Sequence, residues 1–341
     1  MTKRNLFSMS FNMFFLALTM IYFFVSRNIF PSYFFIDNLT IKNYMNNVYL
    51  SDDKNFINTA KFFLFFHFDP NTSVLIETFF SWCIFAALLL ILALKYKINF
   101  LELKNFILLA MFALLFGAYA AQFSKELVVF FFLSIIFMFS PAKLLNKNLA
   151  LFVLGYGIFF RSYWILIFLI SVLFTYVVNS SHLNKFMKLL LYLATVLSME
   201  ISYNLMTGNF LSDARYSINS VRDVSLANTM INNPLFNTSI FTDFFNFLYG
   251  LVNVFVPIDG INSSNEILYY VWICTILFLC IKYLRSNEDR VDYKFLFILS
   301  VFTIQSFFEP DAGSMLRHQI VLAPMLLLLI NNKKKEDFNA E

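Results

Sequence analysis

Near the C-terminus a short polar stretch separates two apolar runs: Glu309, Pro310, Asp311, Ala312, Gly313 and Ser314, followed by Arg317 and His318. Ionisable groups gathered at the edge of a hydrocarbon-like environment are costly and point to function by default. A histidine placed there titrates near neutral pH and suits proton transfer, with Glu309 and Asp311 as the alternative acid–base groups. Pro310 fixes the chain at the end of the preceding run, and Gly313 permits a positive-φ turn. With Ser314 capping the next helix, its first N–H groups and positive dipole end face outward as an anion site. His318 then lies one turn further along, beside Arg317. A histidine that merely hydrogen-bonds at an interface fits the same residues.

A second set of residues suits anion binding: Lys125, Arg161, Arg215, Arg222 and Arg317. Lys125 and Glu126 precede an apolar run, Arg161 sits between Phe159-Phe160 and Ser162-Tyr163-Trp164, and Arg317 leads into another run. Guanidinium groups clamp phosphates bidentately and stay charged at any accessible pH. At the outer surface of a membrane the matching ligand is a lipid diphosphate. Singly, arginines and aromatics at helix ends anchor the helix by snorkelling, and Arg215 and Arg222 read as solvated loop charges. Taken together, convergence on one face favours the functional reading. His67 and His182 read as structural, and Glu77 and Glu200 as buried hydrogen-bonding groups rather than proton carriers. Cys83, Cys274 and Cys280 show no metal or disulfide spacing and are expected to be buried small hydrophobes. No metal or cofactor is expected.

The elements that must position these residues follow from composition. Of 341 residues 60% are hydrophobic and 13% charged, which excludes a soluble globular domain. The fold class expected is an all-α polytopic membrane protein, a single transmembrane domain over 1–341 with about ten transmembrane helices. Apolar runs place spans near 6–26, 74–94, 105–121, 127–140, 149–160, 163–178, 188–206, 267–284, 295–308 and 319–330. With Lys3 and Arg4 opening an uncleaved first helix on the inside, the inside loops carry Lys95, Lys97 and Lys104; Lys143 and Lys147; Lys185 and Lys188; Arg285, Arg290 and Lys294; and Lys333 to Lys335. This alternation closes only if 241–257 does not cross, so that segment is expected to be interfacial or re-entrant. The outer face then holds a first periplasmic loop, 31–72, and a large one, 207–266. In the first, Ile41, Tyr44, Met45, Val48 and Tyr49 follow helical spacing, which predicts an amphipathic helix in the interface plane. Seven glycines are few for a channel or transporter, and the 48 phenylalanines reflect coding bias rather than a binding surface. A net charge of +4 needs no nucleic-acid partner, because cytoplasmic loops are basic anyway.

On Ser124-Lys125-Glu126, Phe160-Arg161-Ser162-Tyr163-Trp164 and the stretch from Glu309 to His318, together with the many spans and the long late loop, the chain resembles the Wzy-type O-antigen and capsule repeat-unit polymerases. The resemblance implies an integral-membrane glycosyltransferase with a GT-C-like bundle related to the O-antigen ligases, set in the bacterial inner membrane with both termini cytoplasmic. It implies that a hydroxyl of one undecaprenyl-diphosphate-linked oligosaccharide attacks the anomeric carbon of another on the periplasmic side, releasing undecaprenyl diphosphate. Arg161 and Arg317 would clamp the diphosphate, with Arg215, Arg222, Lys125, Glu126 and Tyr163 completing the substrate contacts. His318 is the first choice of base, with Glu309 and Asp311 behind it. A chain-length regulator and a flippase would be partners in the bilayer. The rival readings are a lipid-linked oligosaccharide flippase and a polyprenyl-phosphate-sugar-dependent glycosyltransferase, for which Ser51-Asp52-Asp53 supplies an acidic group in the first outer loop. A membrane O-acyltransferase would need a histidine in the early spans, and none precedes His67.

Overall fold

The structure, a computed structural model, describes residues 3–48, 53–220, 229–256, 264–286 and 291–331. Among these the chain is all-helical, with an isolated bridge between Met230 and Asp311 and no strand. The helices are α1 (Lys3–Ile29), α2 (Ile36–Met45), α3 (Lys54–Phe65), α4 (Val74–Leu94), α5 (Leu103–Tyr119), α6 (Lys125–Phe139), α7 (Leu145–Phe159), α8 (Tyr163–Val178), α9 (Lys185–Thr207), α10 (Asp213–Ser220), α11 (Ile240–Phe255), α12 (Ser264–Ser286), α13 (Tyr293–Phe308), α14 (Ala312–Gln319) and α15 (Leu322–Ile330). Among the described residues four contain segments long and apolar enough to cross a membrane, Ser10–Ile29, Val74–Leu94, Lys185–Thr207 and Glu266–Arg285, and α14 with α15, bent by 53° at their break, make a fifth if the pair is counted as one span. The remaining apolar segments, among them α5, α8, α11 and α13, form helices shorter than a full span. By length and composition, then, the ten expected spans resolve to four or five of full length. Large apolar side chains such as Phe14, Ile21, Leu75 and Leu94 face outward, as lipid-contacting helices require.

The caps are written locally. Asp53, Ser73, Ser124, Asn184 and Asp292 each accept a backbone N–H in the first turn of the helix that follows, and Ser239 with Thr242 forms a capping box on α11. Gly208, at φ 72°, ends α9 in the left-handed conformation that glycine tolerates best.

The chain falls into two compact units, residues 1–165 with 320–341, and residues 166–319. In the first, phenylalanines from α1, α4, α5 and α6 form a continuous ring stack: Phe23 lies 5.2 Å from Phe85 and 5.3 Å from Phe116, and Phe116 5.0 Å from Phe130. Such pairs contribute roughly 0.5–1.5 kcal/mol each beyond burial, so the phenylalanine content is used for helix packing. The predicted amphipathic helix is α2, but its face of Ile41, Tyr44 and Met45 is buried against α3, a helix the sequence reading did not anticipate. Val48 falls beyond the helix and Tyr49 outside the described residues. In the second unit Val196, Leu211, Phe247 and Phe307 make the core, with Phe247 and Phe307 stacked at 4.5 Å.

The segment predicted as interfacial or re-entrant is α11, whose Asp243, Asn246, Gly250 and Asn253 are buried while Phe241, Phe245 and Val252 are exposed. It is an inside-out amphipath, polar toward the protein and apolar outward; Pro257 lies outside the described residues. The cysteines correct another expectation. Cys280 is buried, but Cys83 and Cys274 are exposed, because in an apolar surrounding a small hydrophobe is as well placed outside as inside.

Candidate functional site

The predicted site residues form two sets, one in each unit, with Arg222 outside the described residues. In the second unit, α13 ends at Phe308 and Glu309 leaves it in extended backbone. Residues 229–231 run antiparallel to 310–312, with Ile231 N–H donating to the Pro310 carbonyl at 2.7 Å and Ala312 N–H to the Thr229 carbonyl at 3.3 Å. Asp311 Oδ1 accepts the Ser314 N–H at 2.7 Å, so Asp311 caps α14. This corrects the reading that Ser314 is the cap and Gly313 a positive-φ turn: both lie inside the first turn, because the pairing of 310–312 with 229–231 sets Asp311, three residues before Ser314, where its carboxylate takes the free amide. The helix thereby starts earlier and sets Arg317 and His318 in its last turn. His318 Nδ1 contacts Glu309 Oε1, and Arg317 Nη2 lies 3.4 Å from His318 Nε2. A carboxylate on Nδ1 fixes the tautomer that leaves Nε2 basic. His318 is the more accessible partner, with 14% of its side chain exposed against 5% for Glu309.

Behind this group sits Arg215, on α10. The sequence places it among the diphosphate contacts and, taken singly, as a solvated loop charge; its side chain is fully buried. Its Nη2 donates to the Ser306 carbonyl on α13 and its Nη1 to Asn233 Oδ1 at 3.4 Å. Burial lowers its pKa to about 10, opposed by the negative charges of Glu309 and Asp243. Room for the guanidinium comes from Gly250 on α11, where a Cβ would stand 2.6 Å from Nη2. The backbone leading into α10 is held by Asp243, which accepts N–H bonds from Leu211 at 3.0 Å and Ser212 at 3.1 Å, together with the Ser212 hydroxyl. Asn233, Asn237 and Asn246 extend this polar interior, Asn237 donating to Asp213 at 2.6 Å and Asn246 to Asn237 at 2.6 Å.

In the first unit Ser124 caps α6 through the Leu127 N–H at 3.1 Å, which seats Lys125 and Glu126 in the first turn. Lys125 Nζ lies over the Phe56 ring at 3.3 Å, a cation–π contact. Arg161, between α7 and α8, donates to Glu126 Oε1 at 2.5 Å and to the Tyr163 hydroxyl at 2.8 Å. Burial works to lower the Arg161 pKa, but the charge of Glu126 outweighs it, so the group sits above the ordinary arginine value. Lys125, Glu126 and Arg161 are all buried rather than lining a shallow surface, and the guanidinium predicted to face a ligand already faces a carboxylate. Glu77 is likewise the hydrogen-bonding group expected of it: Arg27 and Asn38 donate to it at 2.7 Å, and Lys42 pairs with it.

The sequence reading passed over Asp243 and its polar stripe. The signal was present, since Asp243, Asn246, Gly250 and Asn253 follow the 3–4–3 spacing of one helix face. No protein-family model, curated protein or solved structure matches the chain. The functional reading therefore rests on the chemistry of these residues.

Proposed function

We propose that the protein is a repeat-unit polysaccharide polymerase, joining polyprenyl-diphosphate-linked oligosaccharides at the outer face of the bacterial inner membrane. The supporting observation is the array Glu309–His318–Arg317, formed by the residue that ends α13 and the last turn of α14, backed by the buried charge of Arg215. In this reading Glu309 orients the imidazole, and His318 Nε2 takes the proton of the acceptor hydroxyl as its oxygen attacks the anomeric carbon. The bond from that carbon to the diphosphate oxygen breaks, and positive charge stabilises the departing anion. Arg317 stands beside the base and is the first candidate for that role; the buried charge of Arg215 interacts with Glu309 from behind. About ten membrane passages, a GT-C-like arrangement and cytoplasmic termini belong to the same proposal, with a chain-length regulator and a flippase as partners.

The test is genetic. In a host making a repeat-unit polysaccharide, loss of the gene leaves surface glycan carrying one repeat unit, and His318→Ala behaves as the deletion while the protein still accumulates. Loss of all surface glycan instead identifies a flippase and overturns the proposal.

A further inference from the structure

Glu200, on α9, is fully buried, and among the described residues neither of its carboxyl oxygens receives a hydrogen bond from an N–H or a hydroxyl. The group it meets is the carboxyl of Asp243 on α11, within hydrogen-bonding contact. Asp243 is equally buried, and its oxygens already take the Leu211 and Ser212 amides and the Ser212 hydroxyl. Two buried carboxyls in contact cannot both be ionised, and only a proton can join them. Of the charged groups nearby, Arg215 on α10 interacts with Asp243 and also with Glu309 at the end of α13 and Tyr249 on α11; Asp213 on α10 accepts from Asn237, and Tyr203 of α9 packs on the neighbouring apolar core. Among the described residues Arg215 is the cation that interacts with Asp243, and Glu309 draws on the same charge.

We propose that Glu200 and Asp243 share one proton, and that this pair is a latch holding residues 208–212, and with them Arg215, onto α11. Removing the proton sets two negative charges in contact, the carboxyls part, and Asp243 gives up the amides that seat the start of α10. The inference needs no assumption about catalysis, since both readouts below are made without substrate.

The experiment uses the full chain in detergent micelles. Infrared spectra at neutral pH show the C=O band of a buried carboxylic acid, lost in Glu200→Gln and shifted in Asp243→Asn. Hydrogen–deuterium exchange of the 208–215 peptide, corrected for intrinsic rates, then reports the latch. In the wild type exchange accelerates by up to about tenfold per pH unit as the pH rises toward the midpoint of the closed pair, and levels off above it. In Glu200→Gln the amide donates to Asp243 at every pH, and protection persists. Absence of a Glu200-dependent band refutes the shared proton, and identical pH profiles in the two proteins refute the latch. The Asp243→Asn band shift and the wild-type profile stand as tests even where Glu200→Gln fails to fold.

Discussion

Gly250 and Gly155 both lie inside helices, and the structure assigns them opposite responses to the same substitution. An added Cβ at Gly250 would stand 2.6 Å from Arg215 Nη2 and 3.0 Å from the carbonyl carbon of Ser306, on the helix against which α11 packs most extensively. One at Gly155 meets nothing within 4 Å. Alanine exceeds glycine in helix propensity by about 1 kcal/mol, so Gly155→Ala is expected to be neutral or to stabilise by up to about that amount. At Gly250 the same gain is opposed by overpacking, about 1–3 kcal/mol, because the carbonyl of α13 cannot retreat without moving the helix. Displacing Arg215 also strands a buried charge, which costs about 3 kcal/mol more. Gly250→Ala is therefore expected to destabilise by about 3–5 kcal/mol, read by equilibrium unfolding in mixed micelles. Equal stability of the two variants would refute both the close approach of α11 to α13 and the placement of Arg215 in the slot between them.

Two further outcomes follow. Glu126→Ala and Arg161→Ala should each destabilise by about 3 kcal/mol, and the double substitution by less than their sum, because each single change leaves a buried charge alone; additive losses would show that the pair is not coupled. Cysteines placed by Ser217→Cys and Ser314→Cys should react with a membrane-impermeant reagent added from the periplasm, and one placed by Lys143→Cys should not; the reverse pattern would invert the proposed orientation.

Most helices were legible in the sequence, because runs such as Val74–Leu94 are too apolar and too long for anything else. What hydropathy did not disclose is which face of each helix turns inward. Lipid and protein interior are both apolar, so the rule that places hydrophobes inside a soluble protein says nothing about Cys83 or Cys274. The informative residues are the polar ones. Asp243, Asn246, Gly250 and Asn253 mark the inner face of α11 because lipid would leave them without partners. The cap of α14 was misassigned by a few residues for a different reason: Ser314 and Asp311 are both good caps, and the choice depends on the loop 229–231 that holds 310–312 extended, a contact remote in sequence. The burial of Arg215 was not legible for the same cause, since it depends on Gly250 and Ser306, far along the chain.

The most direct measurement is reconstitution. Purified protein in proteoliposomes, supplied with a polyprenyl-diphosphate-linked repeat unit, should give a ladder of lengthened glycans, which His318→Ala abolishes and Glu309→Gln reduces steeply at unchanged protein level. A wild-type ladder that persists in His318→Ala would contradict the Glu309–His318 chemistry, and no ladder from any folded sample given its native repeat unit would contradict polymerisation itself.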